Sequence, residues 1–508
     1  MENWQIALVI MTAYLVVAMG VGIMAGRGQN KASLSEFTTA GRGLGLIVMW
    51  FLMGGAIFSA FAFLGGPGWA FSMGAPALYI LTYTAFAILP WYILAPKIGA
   101  IGRKHNLYSL VGFFQGRFRL KALSVFVAVV AFLAFIQYLA TQMTGMAIIF
   151  NIMTEGRVPI WLGALAAYGI VVAYVATGGL RAAAWSDVFQ GMLMILISWT
   201  VGIAIVYQLH GGVGEMFTNI SRTEPGFLRI GVEGSTMSPM AYATIILVSV
   251  IGFIMWPHLF SKSYATDAKT AKKTVIAYPV FALFTVPLLL AGFAAVGVVG
   301  QNEIDTPDNI LPYLITTVMN LPGWLYGLVG AGALAAAMSS ADAITHSASL
   351  EFHDGVVKNV KPDMTEANTV RTMRLLVVVI GAFAYLVTIF GGQGLVALLL
   401  GAYGSIVQFA PGVYGALYSK RVTPSAILAG LVVGVAANYF FQLSGVAAPL
   451  DMNAGIAGLI LNVVVVVAVT LVSPRQDRKI VDEYVEASDD ARYLSAGVSE
   501  RESELSRR

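Results

Sequence analysis

Cysteine is absent from the 508 residues, which excludes disulfides, thiolate metal centres and cysteine nucleophiles. Charge is scarce as well. Only 11% of the residues are Asp, Glu, Lys or Arg, against about 25% in a soluble globular chain. The five histidines (105, 210, 258, 346 and 353) never fall in the His-Glu-Xaa-Xaa-His spacing of a zinc hydrolase. No Gly-Xaa-Ser-Xaa-Gly elbow occurs either. These gaps argue against an enzyme. What is abundant is apolar: 58% of the residues are hydrophobic and the mean hydropathy is +0.78. Apolar runs of about 20 residues, the length that crosses a hydrocarbon core of roughly 30 Å, recur from end to end. Such a chain uses lipid as part of its solvent.

The runs predict thirteen membrane spans, at about 5–24, 47–70, 76–96, 122–150, 159–178, 185–207, 239–260, 274–299, 322–348, 373–391, 394–418, 423–443 and 453–473. Placing the N-terminus outside and alternating puts 27 of the 30 Lys and Arg residues on inside segments, leaving only Arg157, Arg222 and Arg229 outside. That asymmetry is the positive-inside signature and supports an N-out, C-in topology. The isoelectric point near 9.0 then reflects orientation and anionic cytoplasmic lipid rather than nucleic acid. The N-terminus has no basic n-region, so Ile6–Met24 is expected to be a retained span and not a cleaved signal peptide. The division expected is a transmembrane domain over 1–475 and a short cytoplasmic tail over 476–508, one helix followed by disorder, with no soluble domain.

Several polar features stand out against this background. Residues 333–346, Ala-Leu-Ala-Ala-Ala-Met-Ser-Ser-Ala-Asp-Ala-Ile-Thr-His, lie inside the ninth span. Polar atoms at that depth persist only when paired or when they line a pathway. Ser339 and Ser340 beside small alanines offer neutral oxygens to a small cation. The second span is interrupted by Gly54-Gly55 and by Gly65-Gly66-Pro67-Gly68. Such breaks free backbone carbonyls, for a cation or simply for close helix packing. Asp187 opens the sixth span, either as a helix cap or as a cation relay at the inner mouth. Pro257 and His258 end the seventh span, either as a boundary pair or on a substrate path. Asp342 and His346 stand one turn apart on one face, either stabilising the inner end or relaying a proton.

Taken together, these stretches resemble the sodium:solute symporter family. The residues that carry the resemblance are Gly-Gly-Ala-Ile-Phe-Ser-Ala-Phe (54–61) with Gly-Gly-Pro-Gly-Trp (65–69), Thr-Gly-Gly-Leu-Arg-Ala-Ala-Ala-Trp-Ser-Asp (177–187) with Gln190, and Leu-Ala-Ala-Ala-Met-Ser-Ser-Ala-Asp (334–342). The resemblance implies an all-α polytopic membrane protein with a LeuT-like 5+5 inverted repeat, formed by spans 2–6 and 7–11 with spans 1, 12 and 13 added. It implies a Na+ site built from backbone oxygens of Gly55, Phe58 and Ala336 and the hydroxyls of Ser339 and Ser340, with Asp187 on the inner cation path. It places the solute near Ile57, Ser59, Phe61 and Phe63 and residues of spans four, seven and eleven. Some members carry an acid where this chain has Ile57, a departure that argues against a cationic group of the substrate binding there and weakens a proline-type assignment. Trp-Pro-His (256–258) and the stretch 65–77 look like the monocarboxylate, pantothenate and proline branches.

The expectation is therefore sodium-coupled uptake of a small organic solute, a carboxylate favoured, by a multi-pass protein of the cell (plasma or inner) membrane that works as a monomer. No cofactor other than Na+ as coupling ion is expected. Proline or pantothenate is the nearest alternative solute. Proton coupling through Asp342 and His346 is the alternative ion. A sensor on the same fold would need a longer tail than 474–508, and a channel would need a repeated filter, which the chain lacks.

Overall fold

The structure, a computed structural model, describes residues 1–391, 395–489 and 494. Among the described residues every regular element is helical. Eight helices are long and apolar enough to cross a membrane, and three further bent pairs pass the same test when each pair is joined. This is the pattern lipid imposes, because a spanning backbone must satisfy its own hydrogen bonds.

The helix Gly323–Phe352 is the axis of the molecule. In the segment Gly323–Val360, 94% of the apolar window is buried in protein, whereas the figure for Glu366–Phe390 is 28%. Its composition explains the position, since glycine, alanine and serine let neighbouring backbones approach closely. A Cβ on Gly327 would lie 2.6 Å from Ile10 Cβ of the helix Asn3–Ala25, and one on Gly332 would lie 3.0 Å from Ile197. Lys121–Met153 packs on another side, with most of its apolar window also buried. Glu366–Phe390, Pro424–Leu443 and Ala454–Val472 are peripheral and expose most of their apolar side chains outward, as lipid contact requires.

The breaks differ in several places from the expected spans. Spans five and six form one helical run, Ile160–His210, interrupted at Gly179 (φ 54°, ψ −146°). A straight helix of 51 residues would reach roughly 76 Å, far beyond one bilayer core. Asp187 lies eight residues past that break, inside the helix, so it caps nothing. The seventh span stops at Phe253 and restarts at Pro257 with a bend of 45°. Pro257 therefore opens a helical segment, where its missing N–H costs nothing. The second span is helical over Leu46–Gly55, irregular at 56–60, a π-turn over Phe61–Gly65 and helical again over Gly66–Met73.

Helix starts at the ends of the bundle are capped by side chains: Ser238, Asp267, Thr365, Thr423 and Asn453 each accept a backbone N–H from the first turn. The helix Arg478–Asp489 folds back onto the bundle, where the Tyr484 hydroxyl donates to the Phe113 carbonyl at 2.9 Å and Lys97 pairs with Asp489. The disorder expected further along the tail falls outside the described residues, as does position 394 at the start of span eleven.

Candidate ion and solute sites

The break in segment 46–73 is where the polar atoms meet. A helix that stops at Gly55 leaves its last carbonyls without partners from its own ladder. The Gly54 carbonyl is taken up by the N–H groups of Ile57 (3.0 Å) and Phe58 (2.9 Å). The Gly55 carbonyl is reached from across the molecule: Ser339 donates to it at 3.1 Å and Ser340 at 2.8 Å. The Ser339 hydroxyl is also 3.1 Å from the Ala336 carbonyl. Gly55, Ala336, Ser339 and Ser340 are thus brought together, all of them buried. Phe58 is adjacent along the chain, its ring stacked on Phe281 at 4.9 Å. Hydroxyl oxygens keep lone pairs free while donating, and the proton can swing away when a cation arrives. Hard cations prefer such oxygen ligands.

Asp187 stands directly against this group. A Cβ on Gly55 would lie 3.1 Å from the Asp187 carboxylate and 3.2 Å from Ser339 Cβ, so glycine is what admits the acid. Both Asp187 carboxylate oxygens are buried without a hydrogen-bond partner. An unpaired buried carboxylate costs several kcal/mol, and a cation beside it removes much of that cost. The donor set fits sodium.

Asp342 and His346 are not bonded to each other. Asp342 accepts from Tyr174 at 2.9 Å and from Ser186 at 3.4 Å. His346 Nε2 lies 2.8 Å from the Phe37 carbonyl. Gln190 donates to the Tyr14 hydroxyl at 3.0 Å, tying the first helix to the centre.

Ile57, Ser59, Phe61 and Phe63 are buried around the irregular stretch. Beside them lies a ring network that the sequence did not single out in full. Trp256 packs on Tyr138 (4.9 Å), Tyr403 (5.4 Å) and His258 (5.5 Å). Tyr83 links Tyr79 (5.5 Å) to Tyr403 (6.2 Å), and Tyr278 stacks on Phe58 (6.1 Å). The hydroxyls of Tyr79 and Tyr278 are buried without partners, and the Trp256 indole N–H and the Tyr403 hydroxyl, also buried, face only each other. His258 is buried rather than interfacial, and neither ring nitrogen makes a well-formed hydrogen bond, although one is turned toward the Ala56 carbonyl. Trp256 and His258 belong to a motif visible in the sequence. The tyrosines do not, because lone aromatics in apolar helices carry no periodic signal.

Against known proteins, the profile of the sodium:solute symporter family matches residues 37–434. The chain belongs to this family. Among similar proteins, the "Uncharacterized symporter YhjB" of Bacillus subtilis (strain 168) is 30% identical, the match covering 94% of this chain and 99% of the relative. The "Monocarboxylate transport permease protein" of Rhizobium johnstonii is 25% identical over 92% and 97% of the two chains. The "Sodium/pantothenate symporter" of Escherichia coli (strain K12) is 26% identical over 84% and 88%. In fold, the chain matches a Na+-coupled sialic acid symporter solved in a substrate-bound, outward-open state, with a TM-score of 0.78 at 19% identity over 93% and 99% of the chains. The protein is thus a multi-pass, sodium-coupled transporter of small organic solutes.

Proposed function

We propose that this symporter carries a small monocarboxylate into the cell together with Na+, as a monomer in the plasma or inner membrane. In this reading residues 1–475 form thirteen spans, N-out and C-in, and spans 2–6 and 7–11 form the two inverted repeats. Residues 476–508 form the cytoplasmic tail. Sodium takes the oxygens of Gly55, Phe58, Ala336, Ser339 and Ser340. The observation that carries the ion site is the convergence of the Ser339 and Ser340 hydroxyls on the Gly55 carbonyl beside an unpaired Asp187. Because Gly55 belongs to one repeat and the serines to the other, an ion held between them biases the equilibrium between outward and inward states. Asp187 then receives sodium on its way to the cytoplasm.

The unpartnered groups of the ring network favour a carboxylate. The hydroxyls of Tyr79 and Tyr278 are buried donors without partners, and an unmade hydrogen bond at such a group costs about 1–3 kcal/mol. A carboxylate brings acceptor oxygens that satisfy them without a buried cationic side chain. Carried with one Na+, a monoanion moves no net charge, so the membrane potential contributes nothing. A net positive charge would instead gain about 2.3 kcal/mol per 100 mV.

The test is uptake into proteoliposomes with an imposed inward sodium gradient, using labelled acetate, propionate, pyruvate, lactate, pantothenate, proline and a sugar. Sodium-dependent accumulation of a short monocarboxylate is expected. Preferential accumulation of proline or pantothenate would replace the solute assignment. Uptake that follows a proton gradient at fixed sodium would replace the ion assignment.

A further inference from the structure

Lys262 is buried to within 1% of full enclosure, an unusual place for an ammonium. Its Nζ donates to the Leu52 carbonyl at 2.6 Å. None of the ion pairs among the described residues includes it, yet Asp187 and Asp342 are both near enough for their charges to act on it. The backbone around it is pinned in the same direction. Leu44 N–H donates to the Ala265 carbonyl at 3.2 Å, and the Thr266 hydroxyl donates to the Leu44 carbonyl at 3.0 Å. The Trp91 indole N–H donates to the Ser263 hydroxyl at 2.8 Å. The inner end of the seventh span is thereby tied to Leu52 of the helix Leu46–Gly55, to Leu44 just before it and to Trp91 of the helix Trp91–His105.

Leu52 and Gly55 are three residues apart at the carbonyl end of that helix, neighbours on its surface. This end carries the negative pole of the helix dipole. It therefore offers two places where a cation is welcome. One is the Gly55 carbonyl with its two serines. The other, at Leu52, is taken by an ammonium that cannot leave because it is part of the chain. Two like charges about one helical turn apart repel strongly in a protein interior. Asp187 and Asp342 supply negative charge that both cations share.

We propose that Lys262 is a tethered competitor of the transported sodium. It weakens sodium binding, neutralises the carbonyl end and the two acids when sodium is absent, and so favours release of the ion and return of the empty carrier. The proposal rests on the ion site assigned above.

The experiment compares the parent protein with Lys262→Gln, Lys262→Met, Lys262→Arg and Ser340→Ala. Two readouts are used on each: sodium activation of uptake in proteoliposomes, and sodium-dependent thermal stabilisation of the purified protein, which needs no turnover. Removing the charge should lower the half-saturating sodium concentration about tenfold in both readouts and reduce the maximal rate. Lys262→Arg should stay close to the parent. Loss of a merely structural contact would raise the sodium requirement or leave it alone, so the direction of the shift is diagnostic. A half-saturating sodium that is unchanged or higher in Lys262→Gln and Lys262→Met overturns the proposal. So does failure of both neutral variants to fold while Lys262→Arg folds, since the residue would then be a structural tie. If Ser340→Ala raises the sodium requirement while the neutral Lys262 variants do not lower it, only this proposal fails. If Ser340→Ala leaves sodium activation unaltered, the ion-site assignment itself fails.

Discussion

Replacing Ser340 with alanine isolates the ion site with little collateral damage. The side chain is fully buried, donates to the Gly55 carbonyl at 2.8 Å and faces the Tyr138 hydroxyl. Ser339 still reaches the same carbonyl at 3.1 Å, so that acceptor keeps a partner. Without an ion, the variant loses neutral hydrogen bonds of about 1 kcal/mol each, and Tyr138 keeps its bond to the Ala56 carbonyl at 3.2 Å. With an ion, it loses one of five oxygen ligands. Hydrogen bonds involving a charged group are worth about 1.5–3 kcal/mol, and a ligand oxygen on Na+ is taken to be of the same order. At about 1.4 kcal/mol per factor of ten, half-saturating sodium should rise about 10- to 100-fold. The assay is initial uptake at graded sodium with choline as replacement, normalised to the amount of folded protein recovered by size exclusion. A maximal rate reached at the parent sodium concentration would refute the reasoning, because the hydroxyl would then be no ligand.

Other outcomes follow from the same geometry. Gly55→Ala puts a methyl 3.1 Å from the Asp187 carboxylate, and overpacking of this kind costs about 1–3 kcal/mol; uptake should fall sharply while the melting temperature drops only modestly. Asp187→Asn removes a buried carboxylate that no hydrogen bond satisfies, so added sodium should stabilise the variant less than it stabilises the parent. Tyr79→Phe removes a buried, unpartnered donor while keeping the ring, and the half-saturating solute concentration should rise about tenfold or more with sodium activation unchanged. Lys420 pairs with Asp482 at 2.7 Å, and this contact holds the Asp482 carboxyl below its usual range. A group depressed on folding supports docking above its unfolded pKa and loses that support as pH falls through the folded value. Protease cleavage near the tail helix should therefore stay constant from neutral pH down through the ordinary carboxylate range and rise only in stronger acid.

The sequence marks its central helix clearly, because Ser339, Ser340 and Asp342 are out of place in an apolar run. Pairing the serines with Gly55, 284 positions from Ser339, is invisible to composition and came through the family resemblance. Local signals misled where one residue type serves two roles. An aspartate near a span boundary reads equally as a cap or as a cation relay; Asp187 sits eight residues past the break at Gly179, inside the helix, with nothing to cap. A proline near a span end reads as a stop, yet Pro257 is the first residue of the next segment. Lys262 reads as one more inside-loop charge, but the break before it turns the chain back into the protein. Glu351, near the inner end of the ninth span, carries no local mark of its role. It is buried and accepts the N–H groups of Leu110 (2.9 Å) and Val111 (2.8 Å), so it caps the short helix Leu110–Phe118 from another part of the chain. No window of local sequence contains that relation.

The helix that contributes the serines, Gly323–Phe352, carries alanine at 335–337, 341 and 343 around them. The rings of the network are borne by other segments, around Tyr79, Trp256, Tyr278 and Tyr403. Tyr138, packed on Trp256 at 4.9 Å with its hydroxyl facing Ser340, borders both groups, as does the irregular stretch 56–60. In the proposed sites the two serines therefore stand on a different helix from most of the solute-facing rings. Substitutions among the aromatic residues can exchange one solute for another while the serines keep their register with Gly55. A lineage built this way is free to diversify its cargo without reinventing its power supply.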